Sequence, residues 1–238
     1  MDVAYLTGIQ EGSVPRPKTI RLRQLLRAVR PFSRARVSAQ PTTRVAVLGL
    51  YRSGSTAVAG VLHHLGVDMG APFFYNFYES AWLSKKLRVW WDEPNNIEKT
   101  PTAKRVRVLK QWIENQERNG SKCVGMKHPL LSLCGPDLLE AWGSSIRFIW
   151  TWRPLEKSIH SLHKLKWWTD EKSEAMQKTL WEASAKFLEN REHLRIDFAQ
   201  MMADPRGQIA RLVDYLGLEP SAEQLATAIE SIQPTSKE

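Results

Sequence analysis

Cysteine is the scarcest informative residue in this chain of 238 residues: there are two, Cys123 and Cys134, and they form no CxxC pair. Two thiols cannot build a disulfide scaffold or a cysteine zinc site, so the expected state is a pair of reduced, partly buried thiols. No apolar run reaches the roughly 18 residues that would span a bilayer. The first residues, MDVAYLTGIQEGSVPRPK, hold no apolar core of a secretory signal, and a cytoplasmic location is expected. Acidic residues are missing altogether between Gly12 and Val67, where Arg16, Lys18, Arg21, Arg23, Arg27, Arg30, Arg34, Arg36, Arg44 and Arg52 lie. That stretch supplies much of the net charge of +9 and favours anionic partners.

Residues 1–40 read as a basic, poorly ordered arm. Pro15, Pro17, Pro31 and Pro41 interrupt it, and Leu22, Leu25, Leu26 and Val29 recur at helical spacing among arginines. Such a pattern suits peripheral contact with an anionic membrane. No nucleic-acid reading module is present, so no specific nucleic acid is expected.

Residues 41–238 read as one folded domain. Arg44–Gly49 is a β-branched apolar run ending in glycine, and Val58, Val61, Leu62 and Leu65 follow at helical spacing. Helices are expected near 79–89, 102–118, 170–190, 206–216 and 221–231. Strands are expected at 122–126, 146–152 and 194–198. Pro154 is placed to open a helix directly after the third strand. Strands alternating with helices predict a three-layer α/β fold, P-loop-like, with a parallel central sheet of about four to five strands flanked by helices.

The segment Gly49-Leu50-Tyr51-Arg52-Ser53-Gly54-Ser55-Thr56 joins the first strand to the first helix. A glycine turn at a helix N-terminus presents backbone N–H groups and partial positive charge, a seat for phosphate. The spacing approaches the nucleoside-triphosphate loop GxxxxGK[ST], but Ser55 stands where that loop needs lysine. A kinase-like phosphotransferase is thereby disfavoured, and it remains the alternative enzyme class beside a basic nucleic-acid- or membrane-binding protein.

GLYRSGST resembles the strand–loop–helix of sulfotransferases that use 3′-phosphoadenosine-5′-phosphosulfate (PAPS), whose loop runs Gly-x-x-[Arg/Lys]-Ser-Gly-[Ser/Thr]-Thr. The resemblance implies that Arg52, Ser53, Gly54, Ser55 and Thr56 bind the 5′-phosphosulfate. Arg153 and Ser161, eight residues apart after the strand 146–152, are similar to the family's 3′-phosphate pair. Here Pro154 follows the arginine directly, where the family often has Arg-x-Pro. A third stretch, Leu194–Pro205 continuing to Gly217, is similar to the family's C-terminal motif, with Ala199 and Gln200 in place of its acidic pair. The likeness covers about residues 44–218.

In such an enzyme a base takes the acceptor's proton and cations steady the transferring group. His128, in Met126-Lys127-His128-Pro129, is the first candidate base, since imidazole titrates near neutrality. Glu79 is the second, because burial can raise a carboxyl's pKa. Lys127 and Arg52 would steady the sulfuryl and leaving-group oxygens. PAPS is the expected co-substrate and no metal is expected. The aromatic run Phe73, Phe74, Tyr75, Phe77, Tyr78 and Trp82 leaves the acceptor open among a glycan, a lipid and a small molecule.

Overall fold

The computed structural model describes residues 42–92 and 97–232. The basic arm and its short amphipathic helix lie outside the described residues. Strand β1 (Thr43–Gly49) leads into helix α1 (Ser55–His64). Helix α2 (Ala81–Trp90) precedes a two-stranded ribbon, β2 (Trp91–Asp92) and β3 (Ile97–Glu98), then helix α3 (Thr102–Arg118). Strand β4 (Cys123–Lys127) runs into a 3-10 turn at Pro129–Leu133 and helix α4 (Gly135–Trp142). Strand β5 (Arg147–Trp152), helices α5 (Leu155–His163) and α6 (Asp170–Leu188) and strand β6 (His193–Asp197) follow. Helices α7 (Phe198–Ala203), α8 (Pro205–Leu216) and α9 (Ala222–Glu230) complete the described chain.

The main sheet has four parallel strands in the order β4-β1-β5-β6, inside the range expected from sequence. Period-two alternation divides its side chains between two cores. Ala46, Leu48, Val124, Met126 and Phe148 face one cluster with residues of α2, α3, α4 and α6. Val45, Val47, Ile149 and Ile196 face the other, with residues of α1, α8 and α9. Helices therefore cover both faces, and the burial of Val45, Ala46, Val47 and Leu48, none more than 1% exposed, explains why β1 reads as a continuous apolar run.

Local chemistry fixes the ends. The Asp204 side chain accepts from Gly207 N–H, with Pro205 in the first turn of α8, and Gly217 (φ 62°) terminates that helix in the left-handed region. Ser221 and Gln224 form a reciprocal capping box on α9. Sequence periodicity does not find α4 or the β2–β3 ribbon. Gly135-Pro136 reads as a breaker, although proline in a first turn is compatible with a helix. Strands two residues long carry no period at all. Both are held from outside: buried Arg105 of α3 bonds Asp137 of α4 at 2.6 Å, the Thr100 carbonyl at 2.6 Å and Glu98 of the ribbon.

The chain leaves β1 for β4 on one side and later returns to β5 on the other. The carboxyl ends of adjacent β1 and β5 thus form the crevice where open α/β sheets bind ligands.

Candidate active site

Four side chains far away in sequence hold the Gly49–Thr56 loop. The Ser132 hydroxyl accepts from Gly49 N–H at 3.1 Å and donates to Gly49 C=O at 3.2 Å. The Gln177 amide does the same for Tyr51, at 3.1 and 2.8 Å. Thr151 donates to Leu48 C=O at 3.0 Å and lies 2.9 Å from the Ser53 hydroxyl. Phe198 packs on the Gly54 turn, where a Cβ would come within 2.8 Å of the ring's Cγ.

Gly54 has φ 90° and Arg52 has φ 62°, both left-handed. Glycine adopts that region freely, whereas arginine is strained there, a pattern typical of functional loops. Gly54 caps α1 without a side-chain bond, and the first turn holds no acidic residue. Ala57 N–H turns to Gly54 C=O at 3.0 Å, so the N–H groups of Ser55 and Thr56 are the ones suited to an anion.

The predicted loop residues take different parts. Ser53 is 1% exposed and its hydroxyl turns inward to Leu50 C=O at 2.8 Å, so its side chain braces the loop rather than facing a ligand. Ser55 is buried at the helix start, Thr56 is half-buried and Arg52 is exposed.

Arg153 and Ser161 meet this loop. The Arg153 guanidinium donates to Arg52 C=O at 2.8 Å and lies over the Phe198 ring at 5.3 Å. Arg52 Nε donates to the Ser161 hydroxyl at 3.1 Å. The strand pairing that sets Gly49 opposite Thr151 accounts for the approach, since Arg153 is two residues beyond Thr151.

Glu79, Lys127 and His128 form a buried group beside the helix start. Lys127 closes β4, and its ammonium donates to Thr56 Oγ1 at 3.0 Å and to Glu79 Oε1 at 2.7 Å. Burial pulls the Lys127 pKa down, against the raising influence of Glu79. His128 Nδ1 accepts from Leu130 N–H at 3.1 Å, and its Nε2 lies 3.8 Å from Glu79 Oε2. Burial pushes the His128 pKa down to about 4; Glu79 opposes this, while Arg88 and Lys127 reinforce it. The ring is thus neutral at pH 7, with its basic lone pair already bonded to the backbone.

Phe77 extends towards this group, its ring 5.9 Å from the Lys127 ammonium. Tyr75 and Phe77 are exposed, whereas Trp90, Trp112 and Trp142 are core residues. The aromatic content therefore splits between an exposed rim and the interior.

Sequence reasoning misses Ser132, Thr151, Gln177 and Phe198. The first three lie on elements unrelated to the loop in sequence, so no local pattern marks them. Phe198 does carry a signal: it lies within the third stretch of family likeness. Asp197 fixes it there by accepting from Ala199 and Gln200 N–H at 2.7 and 3.3 Å.

The sulfotransferase domain of the Synechococcus PCC 7002 olefin synthase has a similar fold, with a TM-score of 0.50 at 16% identity over 82% of this chain and 81% of that one. The sulfotransferase domain from the curacin biosynthetic pathway gives 0.50 at 18%, over 79% and 78%. Sulfotransferase STF1 from Mycobacterium tuberculosis H37Rv gives 0.50 at 17%, over 79% and 70%. No curated protein sequence matches the chain. The sequence pattern of the sulfotransferase family matches residues 44–222, which take in β1, the anion-seat loop, the Arg153–Ser161 pair and the start of α9. By that match the chain belongs to the sulfotransferase family.

Proposed function

We propose that the protein transfers a sulfuryl group from PAPS to a hydroxyl of an acceptor. One observation carries the reading: Arg153, just beyond β5, and Ser161 of α5 both bond Arg52 of the loop that opens α1. Two sources of positive charge and hydroxyl donors thereby adjoin one helix N-terminus, an arrangement suited to a nucleotide bearing phosphates at two positions. The 5′-phosphosulfate would lie on the α1 N-terminus with Arg52 and Thr56, and the 3′-phosphate on Arg153 and Ser161. Phe198 offers an aromatic face next to both for the adenine.

In the reaction the acceptor oxygen forms a bond to sulfur while the bond from sulfur to the 5′-phosphate oxygen breaks. The electron pair leaves with 3′,5′-ADP. The acceptor's proton passes to the Glu79 carboxylate, which lies beside Lys127. The Lys127 ammonium, already on Thr56, is placed to steady the sulfuryl oxygens. Glu79 is preferred to His128 as the base because the imidazole's lone pair is engaged by Leu130 N–H. The acceptor would approach over Phe77 and Tyr75, faces that accept a sugar ring, a phenol or a lipid. A glycan is the first class to test. Among the described residues no helix is long and apolar enough to cross a membrane.

Calorimetry with 3′,5′-ADP in the absence of magnesium tests the donor site. Tight binding is expected, and Arg153→Ala should weaken it roughly 10- to 100-fold, the equivalent of one hydrogen bond to a charged group. No binding by the wild type, or an unchanged affinity in Arg153→Ala, refutes the reading. Incubation with PAPS and a panel of sugars, lipids and phenols, read by product mass, then identifies the acceptor.

A further inference from the structure

His128 Nε2 is one of the buried polar side-chain atoms that have no hydrogen-bond partner among the described residues. Its orientation is fixed by the backbone. Leu130 N–H donates to Nδ1 at 3.1 Å, so in the neutral ring the proton sits on Nε2. That N–H faces Glu79 Oε2 at 3.8 Å, beyond hydrogen-bond range. The other oxygen of the same carboxylate, Oε1, is held by Lys127 at 2.7 Å. Both residues are buried, His128 at 1% and Glu79 at 5% exposure, so bulk water does not supply the missing bond. A buried donor left unmade carries a full desolvation cost, which makes the open position of the carboxylate an energetic tension that a small movement relieves.

Resting on the sulfotransferase reading and on Glu79 as its base, we propose that His128 is a positioning residue whose Nε2–H closes onto Glu79 Oε2 when the donor nucleotide occupies the site. The trigger is Lys127. In the empty site its ammonium is divided between Thr56 and Glu79. Anionic oxygens arriving at the α1 N-terminus compete for that ammonium and loosen its hold on Oε1. A shift of about 1 Å then brings Oε2 within bonding distance of Nε2–H. The imidazole replaces part of the cation's grip and aims the free lone pair of Oε1 at the acceptor's O–H. The charged groups bearing on His128 are Glu79 from the segment before α2, Arg88 from α2 and Lys127 from β4. Burial, reinforced by the two cations, keeps the ring neutral, and a neutral ring is what supplies a donor without becoming a competing base.

Nuclear magnetic resonance on the full chain, with imidazole nitrogens and glutamate carboxyl carbons labelled, tests this without an acceptor. The wild type is expected to show His128 as the Nε2–H tautomer. Addition of 3′,5′-ADP should move that proton's resonance downfield, and Glu79→Ala, which removes the acceptor, should abolish the movement. His128→Asn keeps an acceptor for Leu130 N–H, since asparagine is a favoured cap there, and removes only the Nε2 donor. In its 3′,5′-ADP complex the Glu79 carboxyl-carbon resonance should differ from that of the wild-type complex, because Oε2 has lost its donor. An Nδ1–H tautomer in the wild type overturns the proposal. So does a Glu79 carboxyl-carbon resonance that is the same in the wild-type complex and in a His128→Asn protein that binds 3′,5′-ADP normally. Failure to bind 3′,5′-ADP in calorimetry instead defeats the donor reading, and the tautomer assignment stands apart from that result.

Discussion

Replacing Gly54 with alanine perturbs the contact between the anion-seat loop and β6's continuation. Two costs add at this position. The backbone has φ 90°, which an L side chain occupies at a penalty of about 1–2 kcal/mol. The new methyl carbon would also sit within 2.8 Å of Phe198 Cγ, closer than side-chain carbons approach one another, and overpacking of this kind costs about 1–3 kcal/mol. The sum is roughly 2–5 kcal/mol, which for a domain of this size lowers Tm by roughly 4–20 °C. Calorimetric melts of Gly54→Ala read that loss, and 3′,5′-ADP titration should show weaker binding because the displaced Phe198 and the displaced turn both border the seat. The Gly54→Ala/Phe198→Ala pair separates the two costs. Removing the ring relieves the overlap but not the φ penalty, so the double variant should be roughly 1–3 kcal/mol more stable than the sum of the singles predicts. A Gly54→Ala protein that melts and binds with the wild type refutes the argument. Strict additivity would show that Phe198 does not support the turn.

The low pKa of His128 gives stability a pH dependence of definite sign. Its folded value of about 4 lies below the ordinary 6.5, so the unfolded chain takes up a proton between those pH values while the folded protein does not. Stability is therefore whole above pH 6.5 and declines as pH falls towards 4, by about 3 kcal/mol from this group. Urea titrations at pH 7 and pH 5 should show a smaller loss in His128→Asn than in the wild type. Arg105→Ala strands Asp137, which is 3% exposed, without its partner. It should cost about 3–5 kcal/mol, the cost of breaking a buried pair from one side, measured by the same titrations, whereas a surface pair such as Arg147–Glu192 should cost under about 1 kcal/mol.

The P-loop-like core was legible because its signals are local. A β-branched run, a glycine turn and an amphipathic helix succeed one another between Arg44 and Leu65, and each is specified by neighbours a few residues apart. The pair Arg153 and Ser161 was legible for the same reason, being two turns apart on one strand–helix junction. The ribbon and α4 were not: two-residue strands carry no period, α4 is eight residues long and opens on Gly135-Pro136, and Arg105 ties both to α3 across the chain.

What the sequence alone determined is the glycine-turn loop, the arginine–serine spacing and the order of strands and helices that carry them, since turn chemistry and periodicity act within a few residues. What only the tertiary structure decided is which groups meet. Parallel pairing of β1 with β5 and with β4 brings Arg153 and Lys127 to one loop from positions 101 and 71 residues away from their partners Arg52 and Thr56. It also engages the His128 lone pair with its own backbone and places Glu79 beside Lys127, contacts that no spacing in the sequence expresses.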